Sequence, residues 1–412
     1  MCMFDAYPDA SIFVQIASFR DSQLVPTLKD LFDKADNPHD VRVCICWQHS
    51  EEDEWDTLKS YANDPRVDII DVKAEDSKGV CWARNLIQQR YKGEDFTLQL
   101  DSHHRFVESW DTKLKNQIMQ LQCQGHDKPL ITGYMPAFHP SWDEEEWTKE
   151  PWQMDFDRFT PDGVIFFKPG GIENWKDLKT PVPGRFYSAH FCFTVGKFCK
   201  EVQHDPRYYF HGEEITIGVR AFTYGYDIFH SHEMIAWHEF SRDYRPDKHW
   251  DTYSNHTKHN QRTYELMRGL LGIDGEVMED KYKFGQFGLG DVRTVKEWEE
   301  FAGVRFDDRA VKQSTVKGDI PKVSDEPFAR VFKHCIDIHK NDIQDVDFAA
   351  VIIKDADGNE LHRRDYSMEE IEATTHGDWI NLWVDTVVDS KPASWIVWPN
   401  DGEWLELISG EL

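Results

Sequence analysis

Short apolar runs alternate with helix-spaced segments from residue 11 to about residue 105, and that alternation leaves few folds open. Ser11 to Ser18 alternates as a strand. Leu24, Val25, Leu28, Leu31, Phe32 and Ala35 then recur at helical spacing, with Pro26 tolerated in the first turn. Val41 to Trp47 is an almost continuous apolar run of the kind buried on both faces of a parallel sheet. Val67 to Val72 reads as a third strand, Val80 to Arg90 as a helix and Phe96 to Leu100 as a fourth strand. Strands joined by helices imply right-handed crossovers and an α/β, Rossmann-like, doubly wound, mostly parallel sheet.

The fourth run ends abruptly in Asp101-Ser102-His103. The C-terminal ends of such strands form the mouth of the sheet, where ligands bind. Residues i and i+2 of an extended backbone share a face, so Asp101 and His103 can reach one ion. An oxygen and a nitrogen ligand with open positions suit a Mn²⁺-like cation that also grips a diphosphate. A polar strand end is the alternative for the triplet alone. His238, in the apolar run Ile235 to Phe240, is a candidate third ligand, the alternative being a core histidine bonded to backbone.

Further along, Ser109 to Gln122 reads as a helix, Pro129 to Tyr134 as a strand, and Trp142 to Trp147 as acidic, aromatic loop. A second cluster of elements runs from Phe186 to about Arg245, and a helix from Thr257 to Leu271 follows. Residues 307–327 are polar with Pro and Gly and read as a linker between a large N-terminal domain, 1–306, and a small β-rich C-terminal domain, 328–412. In the latter, Asp347 to Lys354, Trp379 to Asp385 and Ser394 to Trp398 alternate as strands, with Asp357-Gly358 as a turn.

The chain carries 75 acidic against 47 basic residues, a formal charge of −28, which argues against duplex nucleic acid and anionic lipid as partners. No run approaches the ~18 apolar residues of a membrane span. The eight cysteines lack CxxC pairs and regular spacing, and several sit in apolar runs, so no disulfide framework is expected and a reducing cytoplasm is the favoured location. The N-terminus shows no basic region of a signal peptide.

Other segments offer weaker signals. Arg20 and Asp21 follow the first strand and could meet a base or ribose, or pair across the start of the helix. Arg84 lies in the first turn of its helix, where backbone N–H groups and a guanidinium suit phosphate, or it is simply solvated. Glu213 and Glu214 follow Gly212 at the start of a helix or strand; either could bind sugar hydroxyls or an attacking hydroxyl, or merely favour a helix dipole. His256 and His259 read as surface residues of a polar helix. No side chain stands out as a nucleophile.

The ordered series Ile12 to Asp21, Gly79 to Arg84, Asp101-Ser102-His103-His104-Arg105-Phe106, Asp205-Pro206, Gly212-Glu213-Glu214-Ile215, Arg220 to Asp227 and Trp237-His238 to Arg242 resembles the cytoplasmic polypeptide hydroxyproline α-N-acetylglucosaminyltransferases, over about residues 11–305. More distantly, the Asp-x-His and Gly-Glu elements are similar to those of polypeptide N-acetylgalactosaminyltransferases. The resemblance implies a GT-A fold, a divalent cation (usually Mn²⁺), UDP-GlcNAc as donor and a retaining glycosyltransferase. It implies metal ligation by Asp101, His103 and His238, donor contacts from Arg20, Asp21, Arg84, Asp101 and Ser102, and a catalytic place for Glu213 and Glu214 near sugar and acceptor. The implied acceptor is a protein hydroxyl; a hydroxylated nucleobase, a glycan, or a non-catalytic carbohydrate- or protein-binding role are the alternatives, and a homodimer is possible. His104 stands where the family has a more apolar residue, which is expected to alter the sugar pocket, and residues 328–412 have no counterpart in the family's catalytic core.

Overall fold

The computed structural model describes residues 9–53, 57–160, 162–241, 248–253, 256–275, 283–344, 346–388 and 390–412. The chain divides into two compact units: residues 1–306 with 314–324, and residues 307–313 with 325–412. Residues 242–247, which end one stretch of the resemblance and include Arg242, lie outside the described residues.

In the first unit the alternating segments become β1 (Ile12–Phe19), α1 (Leu24–Asp33), β2 (Val41–His49), β3 (Val67–Lys73), α2 (Val80–Gln88) and β4 (Phe96–Asp101). Then follow β5 (His104–Phe106), α3 (Trp110–Cys123), β6 (Pro129–Thr132), a hairpin of β7 (Trp152–Phe159) and β8 (Ile165–Gly171), β9 (Val182–Pro183), β10 (Phe191–Val195), the short α4 (Phe198–Glu201), α5 (Glu213–Thr223), β11 (Asp227–His230) and β12 (Ala236–His238). One eight-stranded sheet has the order β3-β2-β1-β4-β10-β6-β11-β9. The pairs β3/β2, β2/β1, β1/β4 and β6/β11 are parallel, while β10 runs antiparallel to both neighbours and β9 antiparallel to β11. This is the doubly wound, mostly parallel α/β sheet that the residue pattern anticipates, with β10 as an inserted antiparallel strand.

The period of two in β1 divides its side chains between two cores. Ile12, Val14 and Ile16 bury against Leu24, Leu28 and Leu31 of α1 and against Trp110, Leu114 and Ile118 of α3. Phe13 faces the other way, onto Cys44, Cys46, Ala83 and Ile87. Each such side chain contributes on the order of 1.5–3 kcal/mol, so helices on both faces fix the register of the central strands.

The second unit is β-rich, as expected. The strands Ala310–Lys312, Phe328–His339, Trp379–Val388 and Thr375–His376 pair antiparallel in one sheet. The strands Glu360–Ser367, Phe348–Asp355, Pro392–Asn400 and Ile408–Glu411 form another. Ile336, Ile338, Val351, Ile353, Leu382 and Val384 share one core between them. Gly358, at φ +83°, makes the turn after Phe348–Asp355. The segment 307–327 contains structure of its own, the strand Ala310–Lys312 and a helical turn Gln313–Val316.

No described helix is long and apolar enough to cross a membrane. Among the described residues, Cys44, Cys46, Cys81, Cys192, Cys199 and Cys335 are free thiols.

Candidate functional site

β4 ends at Asp101, at the mouth of the sheet, and the chain then enters a two-stranded ribbon in which His238 of β12 lies opposite His104 of β5. The ribbon folds His238 back over the strand end. One ligand atom each from Asp101, His103 and His238 lies within 4.8 Å of the others, with His103 Nε2 at 3.8 Å and His238 Nε2 at 3.5 Å from Asp101 Oδ2. At 3.5 Å the His238 contact is too long for a good N–H···O bond, and among the described residues this buried nitrogen has no hydrogen-bond partner. The donor set fits a divalent cation: one carboxylate and two imidazoles converge.

Asp21 is fully buried behind His103. Its Oδ2 accepts from Ser102 Oγ at 2.5 Å and lies 2.8 Å from His103 Nδ1, and its Oδ1 accepts from the Gln23 backbone N–H. A carboxylate on Nδ1 holds the proton there and leaves Nε2 as the ligand atom, the usual support of a metal-binding histidine.

Arg84 links the strand end to α5. Its two terminal nitrogens donate to Asp101 Oδ1 at 2.8 Å and to Glu213 Oε1 at 2.7 Å, all nearly buried. Burial works to raise the pKa of Asp101, but His238, Arg84 and His103 outweigh it and hold the carboxyl well below the usual range. Burial and the neighbouring His190 push His238 well below 6.5, so its imidazole is neutral, as a ligand must be. Both helices that carry these groups open on a glycine with positive φ, Gly79 at +104° and Gly212 at +96°. A Cβ on Gly79 would stand 2.9 Å from Tyr209 Cδ2, so no other residue fits without a shift.

Glu214, one residue on, accepts a hydrogen bond from the Ala189 N–H at 2.9 Å. Burial pushes its carboxyl from 4.5 up to about 7. Because the folded state holds this proton more tightly than the unfolded chain, the stabilisation is full below about 4.5 and is lost as pH rises through about 7. Glu214→Gln, neutral at every pH, is therefore expected to gain on wild type by on the order of 3 kcal/mol between pH 5 and pH 8. Urea denaturation of metal-free protein at the two pH values measures this, and parallel curves would rule it out.

These groups line a cavity of about 400 Å³, within the size range of small-ligand sites. Arg84, Asp101, Ser102, His103, Glu213, Glu214 and His238 are on its wall, brought together from positions far apart in the chain. Arg20 and Asp21 are not: Arg20, at φ +44°, makes a two-point ion pair with Asp53, and Asp21 serves His103. His104 is fully buried, is absent from that wall, donates its Nδ1–H to the Asp101 carbonyl, and packs behind the wall residues His190 and His238. His259 contacts the Tyr253 hydroxyl and His256 the Tyr253 carbonyl, both outside the metal cluster.

Sequence reasoning missed several wall residues. His190 at the start of β10 stacks on His238 with ring centroids 4.2 Å apart. Phe19, Gln48 and Ser77 line the end nearest β1, and the cations Arg158 and Lys248 face the cavity from other elements. The signals were faint: a histidine directly before an apolar run, and the alternation Met154-Asp155-Phe156-Asp157 that marks β7.

The family model described as "Glycosyltransferase (GlcNAc)" matches residues 11–64 and 55–308. No curated protein matches the sequence. Among solved structures, similarity is found to GalNAc-T7 with UDP, GalNAc and Mn²⁺, at 14% identity and TM-score 0.46, covering 71% of this chain and 54% of that one. It is also found to S. aureus TarS 1–349 in complex with UDP-GlcNAc, at 13% identity and TM-score 0.39, covering 62% of this chain and 65% of that one. The chain thus spans about half of the first structure and just under two thirds of the second.

Proposed function

The chain belongs to the glycosyltransferase (GlcNAc) family, and from that premise we propose that it moves GlcNAc from UDP-GlcNAc to a protein hydroxyl, of the hydroxyproline or Ser/Thr kind, with retention of the α configuration. The observation that carries this reading is the convergence of Asp101, His103 and His238 on the wall of a cavity that also presents Arg84, Glu213 and Glu214.

A divalent cation, Mn²⁺ in this reading, would be held by those three residues and would supply charge neutralisation for the departing diphosphate. The chain's own groups do the rest. Asp101 stays ionised because the buried Arg84 guanidinium donates to it at 2.8 Å. Asp21 holds the proton on His103 Nδ1, the tautomer that would offer Nε2 to the cation. Gly79 and Val80, at the start of α2, line the cavity, so the first N–H groups of that helix are available to phosphate oxygens. Glu214 carries a proton for part of the time near neutral pH and can donate to a sugar hydroxyl as well as accept from one. The acceptor hydroxyl attacks from the face that the phosphate leaves, so no protein nucleophile is needed.

The test is a panel of UDP-sugars offered with Mn²⁺ or with EDTA, alone and with a hydroxyproline-containing peptide. Cation-dependent turnover of UDP-GlcNAc, with an α-linked product by NMR, is expected. No turnover of any donor with peptide present would overturn the reading. A second expected result concerns Asp21: Asp21→Asn lowers Mn²⁺ affinity by ~10–100-fold, as loss of a histidine's supporting carboxylate does. Titration followed by electron paramagnetic resonance measures it, and an unchanged affinity removes Asp21 from that role.

A further inference from the structure

Behind the cavity, on the far side of Glu213, a second set of ligand-type atoms converges. Cys81 Sγ, His204 Nδ1 and a Glu213 carboxylate oxygen lie within 4.8 Å of one another, and all three residues are buried. Cys81 Sγ is 2.7 Å and His204 Nδ1 3.6 Å from Glu213 Oε2, while Glu213 Oε1 is taken by Arg84.

The hydrogen bonds settle which atom of His204 points inward. Gln99 uses its amide N–H groups on the Tyr187 hydroxyl and the Ala189 carbonyl, so its oxygen must accept, and His204 Nε2 at 2.7 Å is the donor. His204 Nδ1 then presents a lone pair to the carboxylate oxygen of Glu213. Two acceptors face each other there, the Cys81 thiol already donates to the Glu213 oxygen at 2.7 Å, and the side chain that carries Nδ1 is 1% exposed. A cation that replaced the thiol proton would meet all three atoms at once.

We propose that Cys81, His204 and Glu213 form a soft-metal site that takes Zn²⁺, separate from the Asp101 cluster. Thiolate, imidazole and carboxylate are the ligand types that zinc prefers, whereas the Asp101 cluster offers no sulfur. Ligands of one tetrahedral zinc stand about 3.5 Å apart. The His204–Glu213 pair is already at that spacing, at 3.6 Å, and the Cys81–Glu213 pair at 2.7 Å opens by under about 1 Å. A small cavity of about 10 Å³ bordered by the same three residues leaves room for one water-sized fourth ligand. On binding, the Cys81 thiol gives its proton to solvent and its sulfur bonds the metal; nothing is oxidised or reduced. Because Glu213 also anchors Arg84, and Arg84 anchors Asp101, zinc here pulls on the same buried network that steadies the other cluster. The site does not depend on the transfer reaction, so its failure and the failure of that reading are separate results.

The probe is Co²⁺, whose bond to a thiolate gives an intense near-ultraviolet charge-transfer band that nitrogen and oxygen ligands alone do not. Full-length wild type titrated with Co²⁺ is expected to show the band, Zn²⁺ to displace it, Asp101→Ala to retain it and folded Cys81→Ser to lose it. If Cys81→Ser does not fold, His204→Gln is the second variant, expected to weaken the band or abolish it. No band in folded wild type, a band that survives in folded Cys81→Ser, or one that is unchanged in folded His204→Gln would each overturn the proposal.

Discussion

Asp101→Ala is expected to remove sugar transfer and UDP-sugar hydrolysis together, by ~10³-fold or more, while the protein stays folded. Losing the one carboxylate of the cluster removes the charge that would hold the cation, and charge stabilisation at the leaving group is worth several kcal/mol. Two effects have to be separated, because Asp101 also accepts from Arg84. Asp101→Asn keeps an oxygen for that guanidinium but not the negative charge, so it should lose activity almost as fully and stability less. Turnover in both variants, Mn²⁺ binding and thermal melting give the comparison. A folded Asp101→Ala protein within tenfold of wild-type turnover would end the metal-dependent reading.

How much of this was legible in the sequence varied with distance along the chain. Asp101 and His103 could be read together because they lie two residues apart at a strand end; β4 stops at Asp101 and a bend at Ser102, not a continued strand, carries His103 to the cluster. The central sheet was legible because the apolar periods of β1, β2 and β4 are local. His238 was a candidate only as a histidine in an apolar run; the β5–β12 ribbon that brings it to Asp101 is a long-range pairing with no local signature. The partners of Asp21 and Arg84 were equally hidden. Whether a guanidinium in a helix's first turn meets a phosphate or a carboxylate depends on what folds against it, and Glu213 arrives from 129 residues away. His190 escaped because β10 was not known to lie antiparallel between β4 and β6. The β-rich second unit was visible in alternation and in the turn at Gly358, but the long strand Phe328–His339 was not, because most of it is only half-buried and its pattern is blurred.

The buried bridge through Arg84 gives the other large effect. Its guanidinium is 3% exposed and sits between the carboxylates of Asp101 and Glu213. Burial alone would make it easier to discharge, but the two carboxylates outweigh that and keep it charged. Taking away one member of such a network leaves an uncompensated buried charge, at a cost of ~3–5 kcal/mol. Arg84→Met should therefore unfold at clearly lower denaturant, measured in EDTA so that no metal repairs the balance. Glu213→Gln should be costly alone for the converse reason, since Arg84 loses half of its compensation. In the double variant Arg84→Met/Glu213→Gln the buried charges are fewer, so the loss should fall well short of the sum of the two single losses. Additive losses would mean that the pair is not coupled. The same variant also decides what Arg84 is for. If its two carboxylate bonds are its whole function, UDP affinity changes little once the protein is compared at equal folded fraction. If UDP affinity instead falls tenfold or more while the double variant shows no coupling, Arg84 is a phosphate ligand that pairs with carboxylates only until the nucleotide arrives.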